Sequence, residues 1–387
     1  IPATPKKNNN VMMGWGNDGK AMPWKDSYSN SMVTWKDHKL TWNDFQGRAK
    51  GVVSNTPNRD YIMHLSLMNR PFLQKQKNGK VTYMYYQNES LIDTSNSWVV
   101  DSCKTDENLQ LAQLDFNLWE LYSRKAMIEY HTTQNASLDE MMDFYAKRAE
   151  NRLDEIKESM SLTDDNTQKL KEINDDVENE LNTLQIDPEK MVANLQETKG
   201  MYFDMGLVAH IPFSDYVSSG FGLNVGGGGF IKRHMIGVDV EFEFGGECKK
   251  PIHTDKGIIN KGDKMLAGAT TLQYGYNALR KSTFEMSPFC GFGVRFYDGG
   301  KKESRYQNNK GDEKIEKAGI SFGIGCSFDF ILSRQISIKT DDENIRKNSS
   351  GIGIKPYLSF SRFSGEMGWM PALNIAVDWD FTAFKLK

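Results

Sequence analysis

The sequence predicts an α+β N-terminal domain followed by an all-β domain, an eight-stranded antiparallel transmembrane barrel. In the second half, eight stretches alternate apolar and polar residues with a period of two, and their polar sets contain charges and glycines. A strand needs this pattern when one face meets lipid and the other meets the wet interior of a barrel. Helical periodicity ends before this alternation begins, which predicts a domain of residues 1–199 and a second domain of residues 200–387.

The alternation is clearest from Ile236 to Phe244, where apolar side chains on one face oppose Gly237 and three acids on the other. A soluble sheet rarely combines so apolar a face with so charged a one. Equally regular stretches are Phe284 to Phe296, Ile320 to Phe330 and Leu373 to Phe381. Weaker ones are Met201 to Phe213, Phe221 to Ile231, Ala269 to Leu279 and Ile352 to Phe360. Each has roughly the 9–11 residues that a tilted transmembrane strand requires.

Eight charged residues are expected to project into the barrel interior. They are Asp239, Glu241, Glu243, Arg295, Asp329, Lys355, Asp378 and Asp380. An eight-stranded barrel is narrow enough for side chains to fill it. Buried charges must be partnered, so we expect a salt-bridge network around Arg295 and Lys355. A proton-transfer site built from paired acids is the alternative.

The connections between the predicted strands differ in length. Lys232 to His234 and Leu279 to Ser282 are tight, whereas Gly245 to Gly268 and Asp298 to Lys317 are long and polar. In this the second half resembles small outer-membrane β-barrels, whose short turns face the periplasm. The resemblance implies that the first half lies in the periplasm. Ser333 to Gly351 is too long for a periplasmic turn, which predicts a strand extension through Gln335 to Lys339.

Composition excludes several classes of function. A formal net charge of −3 gives no footprint for nucleic acid. The chain has no run of about 18 apolar residues, so no ordinary transmembrane helix is expected. Its six histidines are dispersed without ligand spacing, so neither metal nor cofactor is predicted. Cys290 and Cys326 fall on apolar faces of consecutive strands, where two separate thiols are favoured over a conceivable disulfide.

Four helices are expected after the strands of the first half, the last of them ended by Gly200. Leu111, Leu114, Leu118 and Leu121 mark the apolar face of the first, and Ser137 with Glu140 forms a capping box for the second. Leu170 to Leu184 gives the third an apolar seam, which either packs on the preceding helices or binds another protein's helix. Asp187-Pro188-Glu189 opens a short fourth helix. Thr82 to Tyr86 and Tyr61 to Leu67 are expected to be strands.

Two segments of the first half have a distinctive residue pattern. Leu40–Gly47 reads L-T-W-N-D-F-Q-G, and Phe116–Lys125 reads F-N-L-W-E-L-Y-S-R-K. Together they resemble a bacterial family of secreted, predicted zinc-dependent proteases, over residues of about 35 to 160. That family opens with L-T-W-x-D-F-x-G and carries a helix with H-E-Q-x-H-F-D-x-x-E-L-Y-x-R.

The resemblance fails at the residues that carry the chemistry. Leu111, Ala112 and Asp115 stand where the two histidines and the glutamate of H-E-Q-x-H would be. Histidines at i and i+4 present two imidazoles to zinc, and the glutamate activates the water. Leu111 cannot bind a metal and Ala112 cannot take a proton. The resemblance therefore implies a protease-like fold without hydrolysis, in which Leu111 is a core residue.

The leading hypothesis is a non-catalytic outer-membrane β-barrel protein that anchors a periplasmic domain. It would be an accessory or structural subunit of a larger outer-membrane assembly concerned with transport or protein insertion. The expected partners are outer-membrane lipid and other outer-membrane or periplasmic proteins, without nucleic acid or a small-molecule substrate. One alternative is an envelope metal-dependent hydrolase that uses His64 or His131 with Asp115. Another is a surface adhesin that binds through the long loops.

Overall fold

The computed structural model describes residues 31–48, 63–133, 136–160, 166–254, 257–301, 314–340 and 344–387. The chain divides into two compact units. The first contains Ile1–Phe72, Asn88–Tyr130 and Ser137–Gln185. The second contains Leu73–Gln87, His131–Ala136 and Ile186–Lys387. The second unit thus gathers two short segments of the N-terminal half around the C-terminal half.

In the described residues before Glu197, the strands come first and the α-helices follow. The strands are β1 (Met32–Thr34), β2 (Met63–His64), β3 (Leu67–Asn78), β4 (Val81–Asp93) and β5 (Trp98–Val99). The helices are α1 (Asp106–Thr132), α2 (Leu138–Glu158), α3 (Thr167–Thr183) and α4 (Pro188–Val192). β3 and β4 form a hairpin, and β2 pairs with β5. Tyr61, the expected start of a strand, lies outside the described residues. No described helix has the length and apolar composition that a membrane-spanning helix requires.

The helix ends follow their capping signals. The Ser137 side chain accepts a hydrogen bond from the backbone N–H of Glu140 at the start of α2. Asp187 accepts from the N–H groups of Glu189 and Lys190 at the start of α4, where Pro188 needs no partner for its missing N–H. These side chains satisfy donors that the first helical turn leaves without an intrahelical acceptor.

The core of the first unit forms where three helices meet. Leu114, Leu118 and Leu121 of α1 are fully buried against Leu170 and Leu181 of α3, with Leu153 of α2 in the same cluster. The apolar seam of α3 therefore packs on the preceding helices. A buried amide pair crosses this core: Asn117 Nδ2 donates to Asn174 Oδ1 at 2.9 Å. Because each amide has further partners, the pair is satisfied and fixes the register of α1 on α3.

The second unit is dominated by long strands. They are β6 (Glu197–Pro212), β7 (Gly220–Ile231), β8 (His234–Glu247), β11 (Lys264–Tyr276), β13 (Phe284–Lys301), β14 (Lys314–Ile338), β15 (Ile345–Phe363) and β16 (Trp369–Leu386). The shorter strands β9 (Ile252–Thr254) and β10 (Gly257–Ile259) form a hairpin in the connection from β8 to β11, and β12 (Leu279–Arg280) pairs with the start of β13.

The eight long strands close into a ring. Each is antiparallel to its two neighbours, in the order β6, β7, β8, β11, β13, β14, β15, β16, and β16 pairs again with β6. Six of the eight alternating stretches lie wholly on these strands, and Met201 to Phe213 and Ala269 to Leu279 run past the ends of β6 and β11 by one and three residues, so the predicted eight antiparallel strands are confirmed. The strands are longer than the alternating stretches, and their lengths range from 12 residues in β7 to 25 residues in β14.

The two ends of the ring differ in their connections. At the short-turn end, where β6 begins and β16 ends, β7 and β8 are joined by Lys232 and Arg233 alone, and Lys232 adopts a positive φ of 56°. At the long-loop end lie the β9–β10 hairpin, the end of β13 and the start of β14; residues 302–313 are outside the described part. Most of the connection from Ser333 to Gly351, which is too long for a turn, is strand. β14 continues to Ile338 and β15 starts at Ile345, which confirms the expected strand extension.

A small core lies beyond the short-turn end. Residues Val81–Tyr85 of β4 run parallel to Arg334–Ile338, in the extension of β14. Tyr83 and Tyr85 are buried there against Ile336 and Ile338, and the cluster also contains Leu386 with apolar residues of and around α4. The ring is thereby continued by a segment from the N-terminal half of the chain.

The two cysteines of interest are free. Cys290 pairs in register with Ile324, and Cys326 pairs with Pro288, so their side chains are not directly opposite. The separate thiols that the sequence favoured are therefore present in the structure.

We predict that Met127→Ala lowers the free energy of unfolding of the helical unit by about 2–5 kcal/mol, because it opens a cavity in a packed core. Met127 is 1% exposed, whereas Met68, the matched control, is 40% exposed. Urea unfolding followed by far-UV circular dichroism of the helices measures both. If Met68→Ala lowered the free energy of unfolding as much as Met127→Ala, the burial of Met127 in a packed core would be contradicted.

Candidate functional site

The outer face of the ring exposes large apolar side chains on every strand. Leu207 is 63% exposed, for example, and Phe221, Leu272, Phe292 and Ile324 are exposed to a similar degree. Before residue 200, only Met68 and Phe144 of the described large apolar residues are exposed. Soluble monomers rarely expose apolar patches of more than a few hundred Å². A belt around the whole ring therefore indicates a surface that is not made for water.

The belt is layered along the strands. Positions halfway along carry mostly aliphatic side chains, namely Leu207, Val225, Val238, Ile324 and Val377, with Phe292 of β13 as an aromatic exception. Aromatic side chains lie towards the short-turn end, namely Phe203, Tyr274, Tyr276, Phe330, Trp379 and Phe381. Others lie towards the long-loop end, namely Phe213, Phe221, Phe242, Phe244, Phe360 and Trp369. Aromatic girdles on both sides of an aliphatic band are typical of membrane barrels.

Arg295 is the centre of one charge cluster inside the ring. Its guanidinium is 2% exposed and donates to Glu243 Oε1 at 2.6 Å and to Glu241 Oε2 at 2.9 Å. Tyr357 also donates its hydroxyl hydrogen to Glu241. Three of the eight predicted interior charges thus meet, Glu241 and Glu243 of β8 with Arg295 of β13. Arg295 lies in the same row of the sheet as Glu241, with Ala269 of β11 between them, and Glu243 is the next inward residue of β8.

Lys355 is the centre of a second cluster. Its Nζ lies 3.2 Å from Asp239 Oδ2, 3.6 Å from Asp204 Oδ2 and 3.7 Å from Asp378 Oδ2. All four side chains are buried. One cation therefore lies among three carboxylates from β6, β8 and β16. Asp204 was not among the predicted interior charges, although its place between apolar neighbours in the weaker Met201 to Phe213 stretch was a usable signal.

Asp329 and Asp380 lie apart from both cations. They line an interior cavity of about 50 Å³ near the short-turn end, and Ser327 donates to Asp329 Oδ1 at 2.5 Å. Within the described residues, no lysine or arginine nitrogen lies at ion-pair distance from either carboxylate. Gly353 faces this pair, and a Cβ there would overlap Asp380. The structure therefore brings six of the eight predicted charges into two clusters and leaves these two beside the cavity.

A third charge cluster at the short-turn end was not predicted. Glu285 lies 3.4 Å from Arg280 Nε and 3.3 Å from Arg334 Nη2, and Lys347 contacts Glu197. Glu285 was visible as a polar member of an alternating stretch. Its cationic partners lie in a turn or in strand extensions, where the alternation gave no signal.

The ring interior is filled by side chains. Besides the three clusters, His210 hydrogen-bonds with Asn374 Oδ1 at 2.6 Å and with the Tyr297 hydroxyl at 3.2 Å, all three side chains being buried. The spaces between side chains are small, with volumes of about 50 Å³ and about 10 Å³. Spaces of this size hold a few waters at most.

The segments Leu40–Gly47 and Phe116–Lys125 contact each other inside the first unit. The backbone N–H of Leu40 donates to Gln113 Oε1 at 2.9 Å, and Ala112 is buried against Leu40 and Phe116. Leu111 is buried in the helical core, as expected of a structural residue. Asp115 is partly exposed, yet desolvation by the surrounding helices raises its pKa to about 6, Lys157 opposes this rise, and Glu150 and Asp154 add to it.

The two histidines of the alternative hydrolase site, His64 and His131, have different surroundings. His64, in the first unit, lies beside Trp98 with ring centroids 6.3 Å apart. His131, in the second unit, is buried and hydrogen-bonds through Nε2 to the carbonyl oxygen of Tyr86 at 2.7 Å. Burial lowers the pKa of His131. Across the described ranges, no three His, Cys, Asp or Glu side chains are grouped as metal ligands.

Comparison with known proteins finds likenesses among solved structures only. No protein-family model matches the chain, and no curated protein matches its sequence. The C-terminal half is similar to small outer-membrane β-barrels. Neisserial surface protein A shares 8% identity, covering 48% of this chain and 96% of its own, with a TM-score of 0.29. Ail, the attachment invasion locus protein of Yersinia pestis, shares 9% over 49% of this chain and 99% of its own, with a TM-score of 0.26.

The N-terminal β-barrel domain of Pseudomonas aeruginosa OprF shares 12% identity, covering 48% of this chain and 99% of its own, with a TM-score of 0.23. Because identities and TM-scores are this low, these likenesses carry no weight for the location or activity of the chain. Both questions depend on its own side chains.

We predict that Gly226→Ala destabilises the ring by about 1–3 kcal/mol, because a Cβ at this inward position would overlap the carboxylates of Asp204 and Asp239. Gly227 is the matched control, since the nearest atom to a Cβ there is the Tyr202 carbonyl oxygen at 3.4 Å. The measurement heats samples in SDS to increasing temperatures before electrophoresis and records the temperature at which the band of folded protein is lost. Equal effects of the two substitutions would show that the carboxylates do not pack on Gly226.

Proposed function

We propose that the ring spans the outer membrane of a Gram-negative bacterium as a β-barrel and anchors the N-terminal half of the chain there. One observation carries the proposal: the apolar side chains face outwards around the whole ring, and the charges face inwards. A soluble barrel would have the opposite distribution, because burying unpaired charge is costly and exposing apolar surface to water is unfavourable. Lipid around the ring removes the penalty on the apolar face, and the ion pairs of Arg295 and Lys355 offset part of the cost of the buried charges.

The connections support an orientation for the proposed barrel. The chain enters the ring at Glu197 and leaves it at Leu386, both at the short-turn end. Short turns of outer-membrane barrels face the periplasm. In this orientation the residues before Glu197 belong to the periplasmic side, and the long loops face outwards from the cell.

Anchoring is favoured over conduction by the filled interior. Interior spaces of about 50 Å³ and about 10 Å³ give a solute no path. The parallel pairing of Val81–Tyr85 with β14 holds a segment of the N-terminal half on the barrel. We therefore assign the N-terminal half a non-catalytic, accessory role in a larger outer-membrane assembly concerned with transport or protein insertion.

The membrane proposal is tested by Ile324→Arg. Ile324 lies halfway along β14 and is 53% exposed, so in lipid the substitution costs about 2–4 kcal/mol, whereas at a water-exposed site it costs little. Ile258, 43% exposed in the loop hairpin, is the matched control. We expect Ile324→Arg to reduce the membrane-embedded, heat-modifiable fraction in cells and Ile258→Arg to leave it unchanged. A chain that stays soluble and monodisperse without detergent would refute the proposal.

The non-catalytic assignment predicts substoichiometric zinc in the purified chain, because Leu111 and Ala112 supply no ligand and no base. Elemental analysis after dialysis against zinc measures the content. Because a single carboxylate holds zinc weakly, Asp115→Asn should not change the result. One zinc per chain, lost in Asp115→Asn, would support the hydrolase alternative instead.

A further inference from the structure

An open groove lies on the outer face of the ring at its long-loop end. It has a volume of about 780 Å³, and its lining includes Val294, Ile320, Arg362, Gly365, Gly368 and Trp369. We call it the rim groove. Unlike the interior spaces, it opens outwards, and it is large enough for a headgroup and the first part of an acyl chain.

The lining side chains form one row across four strands. In register, Val294 of β13 pairs with Ile320 of β14, Ile320 pairs with Arg362 of β15, and Arg362 pairs with Trp369 of β16. All four side chains are exposed on the outer face. Arg362 is therefore a single cation within an otherwise apolar row.

Among the described residues, Arg362 differs from the arginines inside the ring in having no acid partner. Arg280, Arg295 and Arg334 each lie at ion-pair distance from a glutamate. Within the described residues, no carboxylate oxygen lies within 4.0 Å of the Arg362 guanidinium. That guanidinium instead stacks over Trp369, with Cζ 5.7 Å from the ring centroid. The stacking holds the guanidinium while leaving its N–H donors to an anion.

The row lies at the boundary of the apolar belt. One step towards the middle of β15, the next outward residue is the exposed, apolar Phe360. On β13 and β14, the next outward pair after Val294 and Ile320 is Phe296 with Ala318. The pair after that consists of two acids, Asp298 and Glu316. A change from apolar to charged side chains, with a tryptophan at the change, marks the depth of lipid headgroups.

We infer that the rim groove binds an anionic lipid, whose phosphate is held by Arg362 and whose acyl chain lies along Val294 and Ile320. Arginine suits this ligand because its planar fork donates two parallel hydrogen bonds to phosphate oxygens. A free anion would leave the apolar part of the row without a partner. The inference rests on the proposed membrane location and adds a lipid class and a site to it.

The test uses the full chain in detergent micelles, with dioleoyl phosphatidic acid as the probe and native mass spectrometry as the readout. We expect one phosphatidic acid per chain at low lipid concentration. Arg362→Gln should weaken the binding about tenfold, because a charge-assisted pair of hydrogen bonds is lost. Arg346→Gln, which removes the same charge from an exposed position near the short-turn end of β15, should leave the binding unchanged.

Four results would overturn the inference. Dioleoylglycerol binding as well as phosphatidic acid would show an apolar site without phosphate recognition, and inorganic phosphate displacing the lipid at equal concentration would show a free-anion site. Equal weakening by Arg346→Gln would show a diffuse charge effect. If the chain forms no heat-modifiable barrel in detergent, the proposed function itself fails. A folded barrel whose binding is insensitive to Arg362→Gln refutes the lipid site alone.

Discussion

The pairing of β16 with β6 is the interaction on which the second unit depends. It closes the sheet, so that each of the eight ring strands has a hydrogen-bonded neighbour on both sides. Closure also divides each strand into an inward and an outward face. Once this division exists, the placement of acids, glycines and large apolar residues is determined by the period of two.

Closure concentrates charge around few cations. Lys355 and Arg295 each hold more than one carboxylate. Asp204 and Asp239 fit beside Lys355 because Gly226 carries no side chain there, and Gly353 likewise leaves room for Asp329 and Asp380. Small inward residues on one strand therefore make room for acids on the next. A buried network of this kind is costly to break, since removing one partner leaves the other charge without compensation in a confined space.

The sequence predicted the ring strands well because a half-exposed strand has a strong periodic signal. It also predicted the helix starts at Ser137 and Asp187, whose caps are local. The third charge cluster was missed for the opposite reason: Arg280, Arg334 and Lys347 lie beyond the regular alternation, and only the fold brings them to Glu285. Likewise, no local pattern could show that β4 pairs with β14, because parallel pairing of distant segments leaves no spacing to detect.

That distant pairing has a consequence for the order of assembly. Lys80 Nζ donates to the carbonyl oxygen of Ile331, a residue 251 positions later in the chain. During synthesis Val81–Tyr85 therefore exists long before its partner strand does, and contacts of such sequence separation form slowly. Until β14 arrives, one edge of this hairpin stays open to other strands, a state that invites mispairing and that carrier proteins typically shield. Completion of the sheet and burial of Tyr83 and Tyr85 are thus a single late event.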